Sequence, residues 1–309
     1  MRVLHLVSKK NWSTKMSSVR RLSMIAIGNH EDVELKVTGP GFDGFKGAHK
    51  SEVEFKPDIV TWYKPLDIPG HLSVVAPKCL RFNEMWAREA TLKEIIQSKT
   101  DIVICHHGQE QSIYQKLLPG KKVVHIPHCA EKTIFKDYGL KKDIDVLYTG
   151  IASKKFYPLR RKFLEKVQPI LKKRGYSFQI FKHPGYRLPS LEAIKKHTIK
   201  YARAMNRSKI VVTCSSKYKY ELAKYAEIPM CRTALCADVP GHNQEWFGKW
   251  MIVVGQETPA PKIAERIIGY LKDQQSLQMK TDLGWQENLK CRTQEYYAEQ
   301  FVKVVKECI

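Results

Sequence analysis

The stretch RSKIVVTCSSKYKYELAKYAEIPMCRTALCAD, residues 207–238, decides how the chain is read. Its first apolar run, KIVVTC, is β-branched and short enough for a strand. A pair of serines and a lysine follow, then a helix-like segment ending at a proline, then TALCA, a second short apolar run closed by Asp238. Strand, polar turn, helix and strand make a parallel βαβ unit, because a parallel partner is reached only by a crossover of a dozen or more residues.

The same alternation runs through the rest of the chain. VLHLV (3–7), VELKV (33–37), DIVTWY (58–63), KCLRF (78–82), DIVIC (101–105) and KVVHI (122–126) form one series. DVLYTG (145–150), SFQIF (177–181), KIVVTC (209–214), TALCA (233–237) and WMIVV (250–254) form another. Amphipathic segments separate them, so the expectation is α/β with two doubly wound parallel sheets. Residues 127–143 carry Pro127, Gly139 and mixed charge with little periodicity, and mark the break. The expected division is an N-terminal domain over 1–127, a C-terminal domain over 128–285 and a closing helix over 286–309. In that helix Tyr296, Tyr297, Phe301, Val304 and Val305 share one stripe. VRRLSMIAI, ending at Gly28, and TPAPKIAERIIGYLKD, opening on prolines, are two further helices.

The totals exclude several classes. The 309 residues suit two domains, and 43% hydrophobic with 27% charged residues suits a globular chain with no apolar run near the roughly 20 residues a membrane span needs. MRVLHLVSKKNW reads as a first strand of a cytosolic protein rather than a leader. The eight cysteines have no C-x-x-C spacing, which points to reduced structural thiols and no zinc site. The first βα turn lacks a G-x-G-x-x-G, and G-x-x-x-x-G-K-[ST] does not occur; TGPGFDGF (38–45) has the glycines but follows the second strand with no obvious helix behind it and reads as a plain loop. This argues against a dinucleotide oxidoreductase or a P-loop enzyme. The net charge is +22, and residues 154–224 hold 20 Lys or Arg against three acids, which is +17 in 71 residues. Such a segment should meet an anion: nucleic acid, a nucleoside diphosphate or an acidic membrane face.

In open α/β sheets ligands bind beyond the carboxyl ends of strands. There the 207–238 stretch offers Ser215, Ser216 and Lys217 to phosphate oxygens at the start of its helix, and Glu227 further along to both hydroxyls of a ribose. An ordinary surface glutamate near a proline-ended helix fits the same pattern.

YKYELAKYAEIPMCRTALCAD (218–238) resembles the E-I-P-A-C-G-x-x-L-L-A-D segment of spore-maturation-type glycosyltransferases, related to glycosyltransferase families 1 and 4. IPHCAEKTIFKDYGLKKDIDVLYTG (126–150) and YPLRRK (157–162) are similar to the same family. The resemblance spans about 120–305. It implies a GT-B fold, two Rossmann-like domains facing across a cleft, with the donor nucleotide sugar, UDP-linked by preference, held by the C-terminal one. Glu227 would hold the ribose; Tyr157, Arg160, Ser215, Ser216, Lys217 and Tyr220 would surround the diphosphate, and no metal or other cofactor is required. Two positions depart from the pattern: Arg232 replaces the glycine after the cysteine, and Lys219 stands eight before Glu227, where relatives carry an acid against the donor sugar. On the acceptor side His106, His107 and Glu84 follow strands, and are candidates to deprotonate a hydroxyl or touch the donor sugar. The acceptor expected from the +17 is a hydroxylated or hydroxymethylated base in DNA, flipped out of its stack. A cell-surface or spore-surface glycan, and a nucleic-acid-binding protein without catalysis, are the alternatives.

Overall fold

The computed structural model describes residues 1–15, 18–82 and 85–309, and contains the eleven strands expected, each within two residues of its expected limits. They are β1 (Arg2–Leu6), β2 (Glu34–Thr38), β3 (Ile59–Trp62), β4 (Lys78–Phe82), β5 (Ile102–Cys105), β6 (Lys122–His125), β7 (Ile144–Thr149), β8 (Phe178–Phe181), β9 (Ser208–Val212), β10 (Ala234–Ala237) and β11 (Ile252–Val253). All pair in parallel, in two sheets of order β2-β1-β3-β4-β5-β6 and β11-β10-β9-β7-β8. Strands such as IVTW, IVIC and ALCA are buried at every position, as a parallel sheet covered on both faces requires.

The chain divides into two compact units. The first comprises Met1–His128, Tyr186–Ile194 and Gln294–Ile309; the second comprises Cys129–Gly185 and Lys195–Thr293. In the first unit the closing helix Gln294–Lys306 packs on the helix Ser18–Gly28, burying Tyr297, Phe301, Val304 and Val305 as the stripe demands. Gly39, just past β2, has φ +152°, and a Cβ there would fall 2.1 Å from the Val7 carbonyl oxygen, so only glycine lets the loop pass β1.

In the second unit alternation sorts the side chains onto two faces. Val146, Tyr148, Ile210, Val212 and Cys236 join Phe163, Ile263 and Ile267 on one face; Leu147, Val211 and Leu235 join Met205, Tyr225, Phe247 and Trp250 on the other. The helix after β7 carries a single π-turn at Phe163–Val167, separated by one residue from Pro169, whose missing N–H cannot bond the Glu165 carbonyl. The strand order of this sheet reverses between β7 and β9, so the carboxyl ends of these two strands form its switch point.

All eight cysteines are free, and six are buried. Burial pushes the thiols of Cys79 and Cys105 up to about 12. Among the described residues no helix is long and apolar enough to cross a membrane.

Candidate functional site

At the switch point the chain leaves β7 through Thr149 and Gly150. Gly150 has φ +98°, and a Cβ there would lie 2.8 Å from an Arg160 guanidinium nitrogen and 3.3 Å from Lys224 Cε. Two cations thus close on one bare backbone position. Arg160 enters from the helix Pro158–Lys162, is 4% exposed, donates from Nε to Thr213 Oγ1 at 3.0 Å and lies 4.3 Å from the Tyr157 ring centroid. Thr213 follows β9, so the guanidinium bridges the ends of the two switch-point strands.

Lys224 opens the short helix Lys224–Met230, and Glu227 stands three residues on, on the same face. Lys224 Nζ donates to Tyr201 Oη at 2.8 Å, and Tyr201 Oη donates to Thr149 Oγ1 at 3.4 Å. Burial pushes Lys224 down to about 8; the Glu227 carboxylate opposes this, and the Arg160 charge adds to it. Glu227 is 8% exposed, and among the described residues its carboxylate takes no side-chain hydrogen bond. Burial raises its pKa, with Lys224 pulling the other way. A buried carboxylate without donors is costly by itself, and a vicinal diol would satisfy it.

The serine turn differs from expectation. No helix begins at Ser215. The amides of Lys217, Tyr218, Lys219 and Tyr220 go to the Phe156 carbonyl, Ser216 Oγ, the Ser216 carbonyl and the Ser215 carbonyl, with Ser216 at φ +67°. Ser215 is fully buried, and its amide and hydroxyl donate to Asp238 at 2.8 and 2.6 Å. Its hydroxyl therefore braces the β9 and β10 loops instead of offering itself to phosphate. Ser216 is 7% exposed, and Tyr220 is buried and stacks on Tyr218 at 5.5 Å between centroids. Lys217 is the exposed member, 4.9 Å from the Tyr218 ring. Lys217 donates its amide to the Phe156 carbonyl, which ties its turn to the segment that leads into Tyr157 and the helix of Arg160.

Both departures from the resembled pattern have local explanations. Lys219, at φ +56°, donates to Asp238 Oδ2 at 2.9 Å. Arg232 keeps the left-handed backbone a glycine would adopt, φ +48°, while its guanidinium pairs with Asp282 and stacks 4.6 Å from the Trp285 ring centroid. Behind the same loops Glu221, fully buried, accepts from Arg292 Nε at 2.6 Å and meets His242 Nε2 at 3.1 Å. Burial alone would raise the Glu221 carboxyl, but the charge of Arg292 and the bonds from both partners hold it at about 2.

In the first unit His106 and His107 are 2% and 1% exposed. His106 Nδ1 lies 2.9 Å from the Ile126 carbonyl, and its ring packs 4.9 Å from His128 and 5.7 Å from Tyr297. Burial, aided by the Arg81 charge, pushes its pKa well down, so the ring is neutral and donates into the backbone. The expectation of an accessible base after β5 thus meets two packed rings. Glu84 lies outside the described residues. Beyond β3 and β4 the first unit has a cavity of about 270 Å³, walled by Tyr63, Phe82 and Trp86 with Lys64 and Glu94 at its polar edge.

Sequence reasoning missed Gly150, Tyr201, Thr213 and Lys224. Only Lys224 left a signal: a lone cation inside the apolar run LAKYAEIPM, three residues before the acid.

No family model matches the chain, and no curated protein matches it. Solved structures do. A sucrose-phosphate synthase from Thermosynechococcus elongatus superposes with a TM-score of 0.67 at 10% identity, over 100% of this chain and 99% of that one. HepE of Anabaena, in complex with UDP and glucose, gives 0.63 at 11% identity over 99% and 100%. A glycosyltransferase from Rickettsia africae gives 0.58 at 12% over 99% and 98%. At such identities the likeness is one of fold, and the fold is the two-sheet GT-B arrangement expected from the sequence.

Proposed function

We propose that this chain transfers a sugar from a nucleoside diphosphate sugar to an acceptor hydroxyl. The observation that carries the reading is Glu227: a buried carboxylate with no hydrogen-bond donor among the described residues, one helical turn from Lys224, in the crossover that follows a switch-point strand of a parallel sheet. A ribose diol would give Glu227 two charge-assisted hydrogen bonds. The diphosphate would then lie over Gly150, where no Cβ intervenes, against Arg160, with Tyr157 and Lys217 at its border. As the glycosidic bond to phosphate breaks, negative charge grows on the leaving oxygen, and a fixed guanidinium stabilises it without reorganisation. The HepE structure holds UDP, which makes uracil the first base to test.

Calorimetry with UDP-, GDP- and ADP-sugars tests the reading. Glu227→Ala should weaken binding of the preferred donor about 10- to 100-fold, the loss of hydrogen bonds to a charged group. Unchanged binding by that variant would falsify the assignment.

For the acceptor, Lys154, Lys155, Lys166, Lys172, Lys173 and Arg174 are exposed in the second unit, far more charge than a diphosphate needs. This supports a polyanionic acceptor, of which a hydroxymethylated base in DNA is the specific form and a surface glycan the alternative. The aromatic cavity beyond β3 and β4 is the place in the first unit where an acceptor ring would stack. Mass spectrometry of oligonucleotides with and without hydroxymethylcytosine, at several salt concentrations, separates these from a protein that only binds nucleic acid. DNA binding by charge alone has a steep salt slope and adds no hexose mass.

A further inference from the structure

We infer that Lys224, presented by the Tyr201 hydroxyl, is the group that pairs with the donor's distal phosphate, and that its ionisation switches donor binding on and off. The inference rests on the nucleoside diphosphate reading and adds a residue and a dependence which that reading lacks. Lys224 is partly buried, so the ammonium is neither a solvated surface charge nor sealed in the core. Its position is fixed twice: Nζ donates to Tyr201 Oη at 2.8 Å and stands 4.7 Å from the centroid of the same ring. Its stem and the Arg160 guanidinium both come close to Gly150, 3.3 and 2.8 Å from where a Cβ would stand, so two cations converge beside a backbone that presents no side chain.

The surroundings explain why this cation, and not Arg160, would respond to pH. Around Lys224 stand Glu227 on its own helix, Arg160 from the helix Pro158–Lys162, Tyr201 from the helix Leu191–Asn206, and His183 and His197, whose own pKa values are lowered by burial and by the Lys224 charge among others. One carboxylate faces a crowd of positive or neutral groups. Burial above all, opposed by Glu227 and aided by the Arg160 charge, holds Lys224 at about 8, while a guanidinium stays charged throughout. Tyr201 is held neutral well above its usual range, first by burial and then by Glu227, so it passes a hydrogen bond on to Thr149 and does not compete for charge.

The test is calorimetry of UDP and of uridine between pH 7 and 9.5 on the full chain, with Lys224→Arg, Lys224→Met and Tyr201→Phe and folding checked by circular dichroism. UDP affinity should hold to about pH 7.5 and then fall toward tenfold per unit, while uridine affinity stays level. Lys224→Arg should abolish the fall, Lys224→Met should weaken UDP at least tenfold more than uridine, and Tyr201→Phe should displace the break. A break that persists unchanged in Lys224→Arg, or equal losses for UDP and uridine in Lys224→Met, overturns the role of Lys224 while leaving the donor reading intact. Absence of binding by UDP, GDP and ADP alike in the unaltered chain overturns both.

Discussion

Lys219 Nζ lies 2.9 Å from Asp238 Oδ2, and the same carboxylate takes the Ser215 hydroxyl at 2.6 Å. Three groups converge on one acid and clamp the loop after β9 to the loop after β10. Asp238→Ala leaves a buried amide and hydroxyl unpaired and should cost about 3–5 kcal/mol in urea unfolding. Lys219→Glu, which restores the acid of the resembled pattern, puts a second carboxylate beside Asp238 and should destabilise the chain as well. A Lys219→Glu protein as stable as the parent would refute the clamp.

Arg232 separates two effects usually entangled. Its backbone is left-handed, a conformation that costs a residue with a Cβ about 1 kcal/mol. Its guanidinium offsets that through Asp282 and Trp285, contacts worth about 1 kcal/mol together at a partly exposed site. Arg232→Gly should therefore be nearly neutral in thermal unfolding, while Arg232→Ala, which keeps the strain and loses the contacts, should lower Tm by about 2 °C.

Gly150→Ala tests the cradle without substituting a charged group. A methyl 2.8 Å from an Arg160 nitrogen forces the guanidinium aside, and φ +98° strains any other residue. UDP binding should fall at least tenfold, with a smaller loss of stability. A variant that binds UDP normally would show that the phosphates lie elsewhere.

Glu221 governs acid stability. Its folded pKa, about 2, is below the ordinary glutamate value, so its contribution is present above about pH 4.5 and is lost as pH falls toward 2. Unfolding followed by tryptophan fluorescence should show this loss, and Glu221→Gln should remove it. Because the substitution strands Arg292, it should also cost about 3–5 kcal/mol at neutral pH.

Much of the fold was legible because its signals are local. Short β-branched runs alternating with amphipathic segments mark parallel strands wherever they occur, and all eleven appear at their expected places. Strand order was not legible, since nothing in SFQIF says that β8 is an edge and β9 the inner neighbour of β7. In the candidate site, Glu227 stood out as a carboxylate inside an apolar helix-like segment, whereas Arg160 was named only through the family resemblance. The serines misled for a physical reason. Ser-Ser-Lys after a strand fits a phosphate-binding helix start, but Asp238, 23 residues away from Ser215, captures the hydroxyl and turns the loop instead. Tyr201 could not be seen at all, because a tyrosine within KHTIKYARAMN reads as one more core position until Lys224 is brought against it.

The distribution of sulfur offers a clock. Six thiols are shut inside the two units, with two of them held near 12, while Cys291 and Cys308 are partly exposed. Since only the thiolate reacts, alkylating reagents should modify the latter pair first and the other six only as each sheet opens. Mass-resolved labelling of Cys79 and Cys105 against Cys214, Cys231 and Cys236 would then time the opening of the first unit separately from that of the second, with no engineered probe.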